Sequence, residues 1–182
     1  MISAWTRLGR FFDRLGGFLI ATSAVLLLLM VALMGTEIGA RALLKTSTQI
    51  ADEYSGYLFT WITLCSFLYA QRTDRFLRVD SLRSHVSPRA RAGMDCVASL
   101  LAGVLSAILL YATWSTFLAS VKFGTLSIQP SQTALYLPQF VMPAGFVLLL
   151  AAFLHSSVTA LLQALGRLPI AAIAAPQATS YE

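Results

Sequence analysis

Charged residues are scarce in this chain of 182 residues: 12% are Asp, Glu, Lys or Arg, and 57% are hydrophobic. A soluble domain carries about 25% charged residues on average. Half of that amount cannot cover a surface that faces water, so the composition excludes a soluble globular protein. It also excludes a disordered chain, because disordered chains are poor in hydrophobic residues. The class that remains is a membrane protein with several spans.

Cysteine and histidine are scarce as well, with two residues of each. Cys65 and Cys96 are too few for a metal cluster, and each is interpreted as a small buried hydrophobic residue. His155 is the only histidine within a predicted span, so a haem held between two helices would lack a second axial histidine. His155 itself is interpreted as a proton relay or a polar packing residue. Nor does the sequence contain a Gly-rich phosphate loop or a nucleophile paired with a base. The sequence therefore indicates neither an enzyme nor a bound cofactor.

Long uncharged stretches locate the membrane spans, because a charge at the bilayer centre costs about 2.5–3.5 kcal/mol. Stretches of 22, 18 and 26 uncharged residues precede Glu37, Arg72 and Lys122. Another 44 follow Lys122, which is too many for one helix, and Pro138 and Pro143 mark where the helical part begins. A span needs about 20 apolar residues. The sequence therefore predicts an all-α membrane protein, one domain over residues 1–182, with four spans at approximately 15–36, 53–71, 94–119 and 139–162.

Basic residues are distributed unevenly between the predicted loops. Ten of the thirteen lie before the first span, between the second and third spans or after the fourth, and three lie on the other side. The positive-inside rule places the ten in the cytoplasm. Both termini are therefore predicted to be cytoplasmic, and the external segments are residues 37–52 and 120–138.

Two amphipathic segments flank the predicted spans. Before the first span, Trp5, Leu8, Phe12 and Leu15 recur at helical spacing, with arginines on another face. This pattern fits either a helix lying in the membrane interface or an ordinary lead-in to the first span. Hydrophobic residues alternate with arginines in the same way over residues 76–86, which predicts either contact with anionic lipid or a solvated basic loop.

Acidic residues open the second span and small residues line parts of the first and third. Asp52 and Glu53 are favoured at a helix N-terminus by the macrodipole, or they form an ion pair with Arg41, with Lys45 or with a partner chain. No charge lies at mid-depth in a predicted span, although an autonomous carrier usually needs one.

Small residues allow helices to approach closely, within the chain or between chains. The glycines predicted to pack against other helices are Gly35, Gly39 and Gly103.

A family resemblance follows from the order of these residues. Arg41, then Ala51-Asp52-Glu53 opening a span that contains Trp61, then Arg78-Val79-Asp80, resembles the small membrane subunit (the Q subunit) of tripartite ATP-independent periplasmic (TRAP) transporters. The resemblance covers roughly residues 31–162, and its later part consists of Gly124, Ser131, Leu137-Pro138 and Pro143-x-Gly145. The chain departs from the family pattern at Ile50, where an aromatic residue is usual, and around Phe76, where a histidine is expected.

The resemblance implies a non-catalytic subunit of a sodium-coupled system that imports an organic acid across the bacterial inner membrane. The implied partners are a large membrane subunit with the substrate and sodium sites, a periplasmic binding protein and membrane lipid; no nucleic acid is implied. The small subunit is expected to support the large one and to help dock the binding protein. On this reading, a structural ion pair is expected among Arg41, Asp52 and Glu53. The expected cytoplasmic anchor is Arg72, Arg75, Arg78 and Asp80, and the expected docking residues are Lys122, Ser131 and Pro138.

Three other classes are considered. An assembly factor or insertase-like protein should carry a hydrophilic groove within the membrane, and the sequence indicates none. A homo-oligomeric four-helix membrane protein, such as a small channel, should carry a polar stripe along one span, whereas the first and third spans are nearly all Leu, Ala and Val. A membrane anchor subunit of a redox complex is disfavoured by the histidine count.

Overall fold

All the named elements are helices in the part of the chain that the structure describes. The computed structural model describes residues 2–47, 49–73 and 87–166. In these ranges there is no strand beyond an isolated antiparallel bridge between Leu126 and Ala134. The helices are α1 (Ile2–Leu44), α2 (Ala51–Arg72), α3 (Pro88–Phe123), α4 (Tyr136–Gln139) and α5 (Val141–Ala164).

Helix α1 is much longer than the first predicted span. It runs without a break for 43 residues, which is about 65 Å at a rise of 1.5 Å per residue. The hydrocarbon core of a bilayer is about 30 Å thick. The amphipathic segment that contains Trp5 and Phe12 is thus the first part of this helix, as the lead-in interpretation predicts, and not a separate helix.

The ends of α3 carry recognisable helix signals. The Ser87 side chain caps the start by accepting a hydrogen bond from the amide of Ala90, and Pro88 occupies the first turn, where its missing N–H does no harm. At the other end, Gly124 adopts a left-handed conformation with φ of 59°, which stops the helix. The helix therefore extends beyond the predicted third span at both ends.

Three helical stretches are long and apolar enough to cross a membrane: Trp5–Leu44, Arg89–Phe123 and Tyr136–Ala164. Helix α2 is not among them, because its sequence is more polar. Its 22 residues nevertheless extend over about 33 Å. Three of the four predicted spans therefore coincide with membrane-type helices, and the second one stays a prediction.

The four long helices pack side by side as a row. Most contacts join α1 to α2, α2 to α5, and α5 to α3, so that α1 and α3 lie at the two edges; the first turns of α1 also touch α5. Large hydrophobic side chains are exposed along both edge helices, including Leu28 (70%) and Leu101 (65%). We call the end with residues 45–47 and 124–135 the loop end. The opposite end, where α1 starts and α5 finishes, is the tail end.

Glycines allow the close approaches in this row. A Cβ atom at Gly145 of α5 would lie 3.1 Å from the Cβ of Leu64 on α2. One at Gly103 of α3 would lie 3.7 Å from the Cβ of Phe153 on α5. The small-residue face of α3 is therefore turned toward α5 of the same chain.

Candidate functional site

Four polar residues meet at the loop end, where α1 finishes and α2 begins. The Nε atom of Arg41 donates to Oε1 of Glu37 at 2.6 Å, and the Ser47 hydroxyl donates to the same oxygen at 2.6 Å. Only 4% of the Glu37 side chain is exposed, and these donors stabilise its buried charge. Arg41 also approaches Asp52, with 3.8 Å between Nη2 and Oδ2. These contacts hold the connection between α1 and α2 against the end of α1.

Glu53 follows Asp52 on α2 but turns toward a different loop. Its Oε1 accepts a hydrogen bond from the Tyr57 hydroxyl at 2.6 Å, and its Oε2 accepts one from the Ser131 hydroxyl. The hydroxyls of Tyr54 and Thr133 lie 3.0 Å apart beside it. The first turns of α2 therefore hold residues 124–135 through two separate side-chain contacts.

Backbone and indole hydrogen bonds complete this arrangement. Within the 124–135 loop, the Ser127 amide donates to the carbonyl of Thr133 at 2.8 Å, which closes the loop on itself. Past the loop, the indole of Trp61 donates to the carbonyl of Pro138 at 3.1 Å. Helix α2 is therefore bonded both to the loop and to the short helix α4 that follows it.

A groove of about 670 Å³ opens between α2 and α3 beside this loop. Gly56 and Thr60 belong to the wall on α2, Ala112 and Thr116 to the wall on α3, and Met142 of α5 closes the third side. The groove exists because α2 and α3 are separated by α5 in the row. At the loop end its lining is polar, with Asp52, Glu53 and Gln129.

At the tail end, the first turns of α1 pack on the last part of α5. The Trp5 indole stacks on the His155 imidazole, with ring centroids 4.5 Å apart and an interplanar angle of 15°. Its Nε1 donates to Oγ1 of Thr159 at 2.9 Å. The Phe12 ring contacts the same imidazole, with centroids 5.8 Å apart. His155 is buried, and its neighbours fit the polar packing interpretation.

Arg72 joins α2 to α1 at the same end. Its Nε donates to Oδ1 of Asp13 at 2.7 Å, and its Nη2 donates to the carbonyl of Gly9 at 3.4 Å. Only 11% of the Arg72 side chain is exposed. The structure holds this arginine against α1, and its predicted role as an anchor at the inner leaflet stays a prediction. The other predicted anchor residues lie outside the described ranges: Arg75, Arg78 and Asp80.

The remaining predicted site residues are distributed differently from the expectation. Of the ion pair expected among Arg41, Asp52 and Glu53, the structure contains the contact of Arg41 with Asp52 at 3.8 Å. Glu53 does not take part, because it turns to the other loop. The nearer partner of Arg41 is Glu37, one helical turn away. Of the expected docking residues, Ser131 contacts Glu53 and Pro138 is buried. Their role in docking stays a prediction.

Lys122 remains exposed near the loop end, with its Nζ 5.5 Å from the centre of the Phe123 ring. Gly35 and Gly39 are also open: a Cβ atom at either would meet nothing within 4 Å. Their side of α1 is thus unoccupied within the described chain, in contrast to the side of α3 that carries Gly103.

The tail-end contacts lead to a stability prediction for Trp5→Phe. This change keeps an aromatic ring on His155 but removes the hydrogen bond to Thr159, so we expect a loss of about 0.5–1.5 kcal/mol in the free energy of unfolding. Trp114→Phe on α3 is the control, because Trp114 is 47% exposed. Thermal unfolding in detergent compares the two variants. Equal losses would contradict a bond specific to Trp5.

The contacts at both ends connect helices to each other and to loops. Among the described residues, no group of three or more His, Cys, Asp or Glu residues is placed to bind a metal ion. The acids instead bond to hydroxyl and guanidinium groups that fix loops and helix ends. The three helices that are long and apolar enough to cross a membrane define the class as a helical membrane protein.

Comparison with known families agrees with this class. The family model "Tripartite ATP-independent periplasmic transporters, DctQ component" matches residues 30–163. The match covers well over half of the 182 residues, and the chain belongs to this family. It is therefore a small membrane component of a TRAP transporter, and the resemblance predicted from the sequence is confirmed. Neither a curated protein nor a solved structure matches the chain.

Family membership also indicates the partners and the membrane of this protein. The family is a transporter component and not an enzyme family, and its members work with a large membrane component, DctM, and a periplasmic binding protein. Together with the apolar helices, this indicates a multi-pass protein of the inner membrane.

Proposed function

We propose that this chain is the scaffold subunit of a sodium-coupled TRAP transporter that imports an organic acid. In this proposal the large subunit binds the substrate and sodium. The small subunit supports the part of the large one that stays fixed, and its loop end helps to dock the binding protein. The family assignment covers residues 30–163. The proposal adds the role of supporting the fixed part of the large subunit.

The observation that carries the proposal is the open packing of the helices. A protein that works alone in a membrane can close its helices around a shared core or pathway, whereas here the long helices form a row with α1 and α3 at the edges. The buried hydrophobic cluster is small and centres on Phe12, Leu68 and Ala152. A row with two broad apolar faces suits a subunit that lies against a larger membrane protein.

The proposed topology has four spans, with the loop end in the periplasm and both termini in the cytoplasm. Helix α2 counts as the second span because it lies between α1 and α5 and connects the two ends. Arg7, Arg10 and Arg14 lie in the first part of α1, at the tail end, where the positive-inside rule favours them.

Co-expression of the three components tests the proposal. We expect the tagged small subunit to retain the large subunit during purification, and the reconstituted complex to take up a radiolabelled organic acid only with the binding protein and an inward sodium gradient. Uptake of the same rate without the small subunit would contradict the scaffold role. A carboxylate panel, which includes C4-dicarboxylates and sialic acid, identifies the substrate.

A further inference from the structure

We propose that the groove between α2 and α3 receives one transmembrane helix of the large subunit, and that this helix carries a Lys or Arg near its periplasmic end. The proposal rests on the proposed function, since the large subunit is the partner. It adds the place of contact and the chemistry of the segment that fits there.

The walls of the groove have the residues that close helix packing requires. Gly56 and Thr60 lie one turn apart on α2, and Ala112 and Thr116 lie one turn apart on α3. Small residues four positions apart allow helix backbones to approach closely in membranes. A Cβ atom at Gly56 would meet nothing within 4 Å, so no other described helix of the chain packs against Gly56.

The middle of the groove is apolar despite its threonines. Thr60, Thr113 and Thr116 donate their hydroxyls to carbonyls of their own helices at 3.0, 2.8 and 3.0 Å. Each hydroxyl is thus satisfied within its helix, and the walls do not need a polar partner. An apolar helix face with small residues fits such walls.

The loop end of the groove, in contrast, is acidic. The Asp52 side chain is 73% exposed, and Arg41, 3.8 Å away, is bonded more closely to Glu37 at 2.6 Å. Oε1 of Gln139 is buried and accepts no hydrogen bond from the described residues. The described residues that line the groove include two acids, Asp52 and Glu53, and no base. This charge pattern is complementary to a cation brought by the partner.

Together, these features fit a helix with a basic end better than a lipid chain. The wall from Asp52 to Thr60 is about 12 Å long, or roughly two helical turns, with the two acids, Asp52 and Glu53, at one end only. Long basic side chains near the end of a span place their charge at the interface, which is where this rim lies in the proposed topology. A lipid chain has no need of small residues at four-residue spacing on two walls.

Filling the groove is the first test. In membranes that contain all three components, we expect Gly56→Leu to reduce the large subunit retained by the tagged chain about tenfold or more. Gly93→Leu on α3 is the matched control, because a Cβ atom there also meets nothing within 4 Å and the residue does not line the groove. It should retain the wild-type amount. If the wild-type chain retains no large subunit, the proposed function fails; if Gly56→Leu retains as much as wild type, only the groove proposal is overturned.

A photo-crosslinking amino acid at Thr60 provides a test that does not depend on the stability of Gly56→Leu. Mass spectrometry of the crosslinked product should identify one transmembrane helix of the large subunit, and lipid adducts alone would overturn the proposal. Asp52→Lys should then reduce retention of the large subunit. Replacement of the basic residue of the crosslinked helix by Asp should restore it, and failure to restore it would overturn the proposed charge contact.

Discussion

Replacing Gly16 by Leu is expected to lower the melting temperature of the detergent-solubilised chain far more than replacing its neighbour Gly17. A Cβ atom at Gly16 would lie 3.4 Å from the Cα of Tyr69, which belongs to the backbone of α2 and cannot rotate away. The rest of a leucine side chain needs still more room, so α1 and α2 must separate there. Overpacking of this kind costs about 1–3 kcal/mol.

Gly17→Leu is the matched control for this prediction. The two glycines are adjacent in α1, so both variants gain the same helix propensity, about 1 kcal/mol relative to glycine. A Cβ atom at Gly17 meets nothing within 4 Å. Thermal unfolding followed by helical circular dichroism compares them. Equal melting temperatures would show that α1 does not pack on α2 through Gly16.

Glu53→Ala is expected to lower organic acid uptake about tenfold by weakening assembly of the transporter. The carboxylate accepts hydrogen bonds from Tyr57 on its own helix and from Ser131 in the 124–135 loop. A hydrogen bond to a charged group contributes roughly 1.5–3 kcal/mol, so the loop loses a main contact with α2. Uptake and co-purification are measured on the same membranes. A normal amount of co-purified large subunit would contradict this explanation.

Ser131, the partner of Glu53 in the 124–135 loop, provides the control for Glu53→Ala. Ser131→Ala removes the same hydrogen bond from its other partner, so the double variant should be little worse than Glu53→Ala alone. Effects that add would show that Glu53 acts through a different contact. Gln132→Ala is expected to be near wild type, because the Gln132 side chain is exposed at the turn of the loop.

The sequence predicted the bounds of the second and fourth helices best. The second and fourth predicted spans, 53–71 and 139–162, differ by about two residues per end from α2 and α5. The first and third predicted spans are shorter than α1 and α3. An uncharged stretch indicates only the part of a helix that lies inside the membrane, and the helix continues beyond it. The helical residues Arg7, Arg10 and Arg14 are an example: they end the uncharged stretch but not α1.

The candidate site was less predictable because its contacts join distant parts of the chain. The pair of Glu37 and Arg41 has the four-residue spacing of a helical ion pair, and that signal was present in the sequence. No such signal connects Glu53 with Ser131, which are 78 residues apart. Likewise, the stacking of Trp5 on His155 depends on how α1 crosses the end of α5. Such contacts follow from packing, which periodicity alone does not specify.

The unbroken length of α1 has a mechanical consequence. Trp5 and Glu37 lie 32 positions apart on one helix, about 48 Å along its axis, and each is fastened to other parts of the chain by its own polar contacts. A continuous helix of this length transmits a displacement from one end to the other, because it has no hinge in between. In the proposed transporter complex, α1 would therefore resist the movement of a neighbouring subunit at both membrane surfaces.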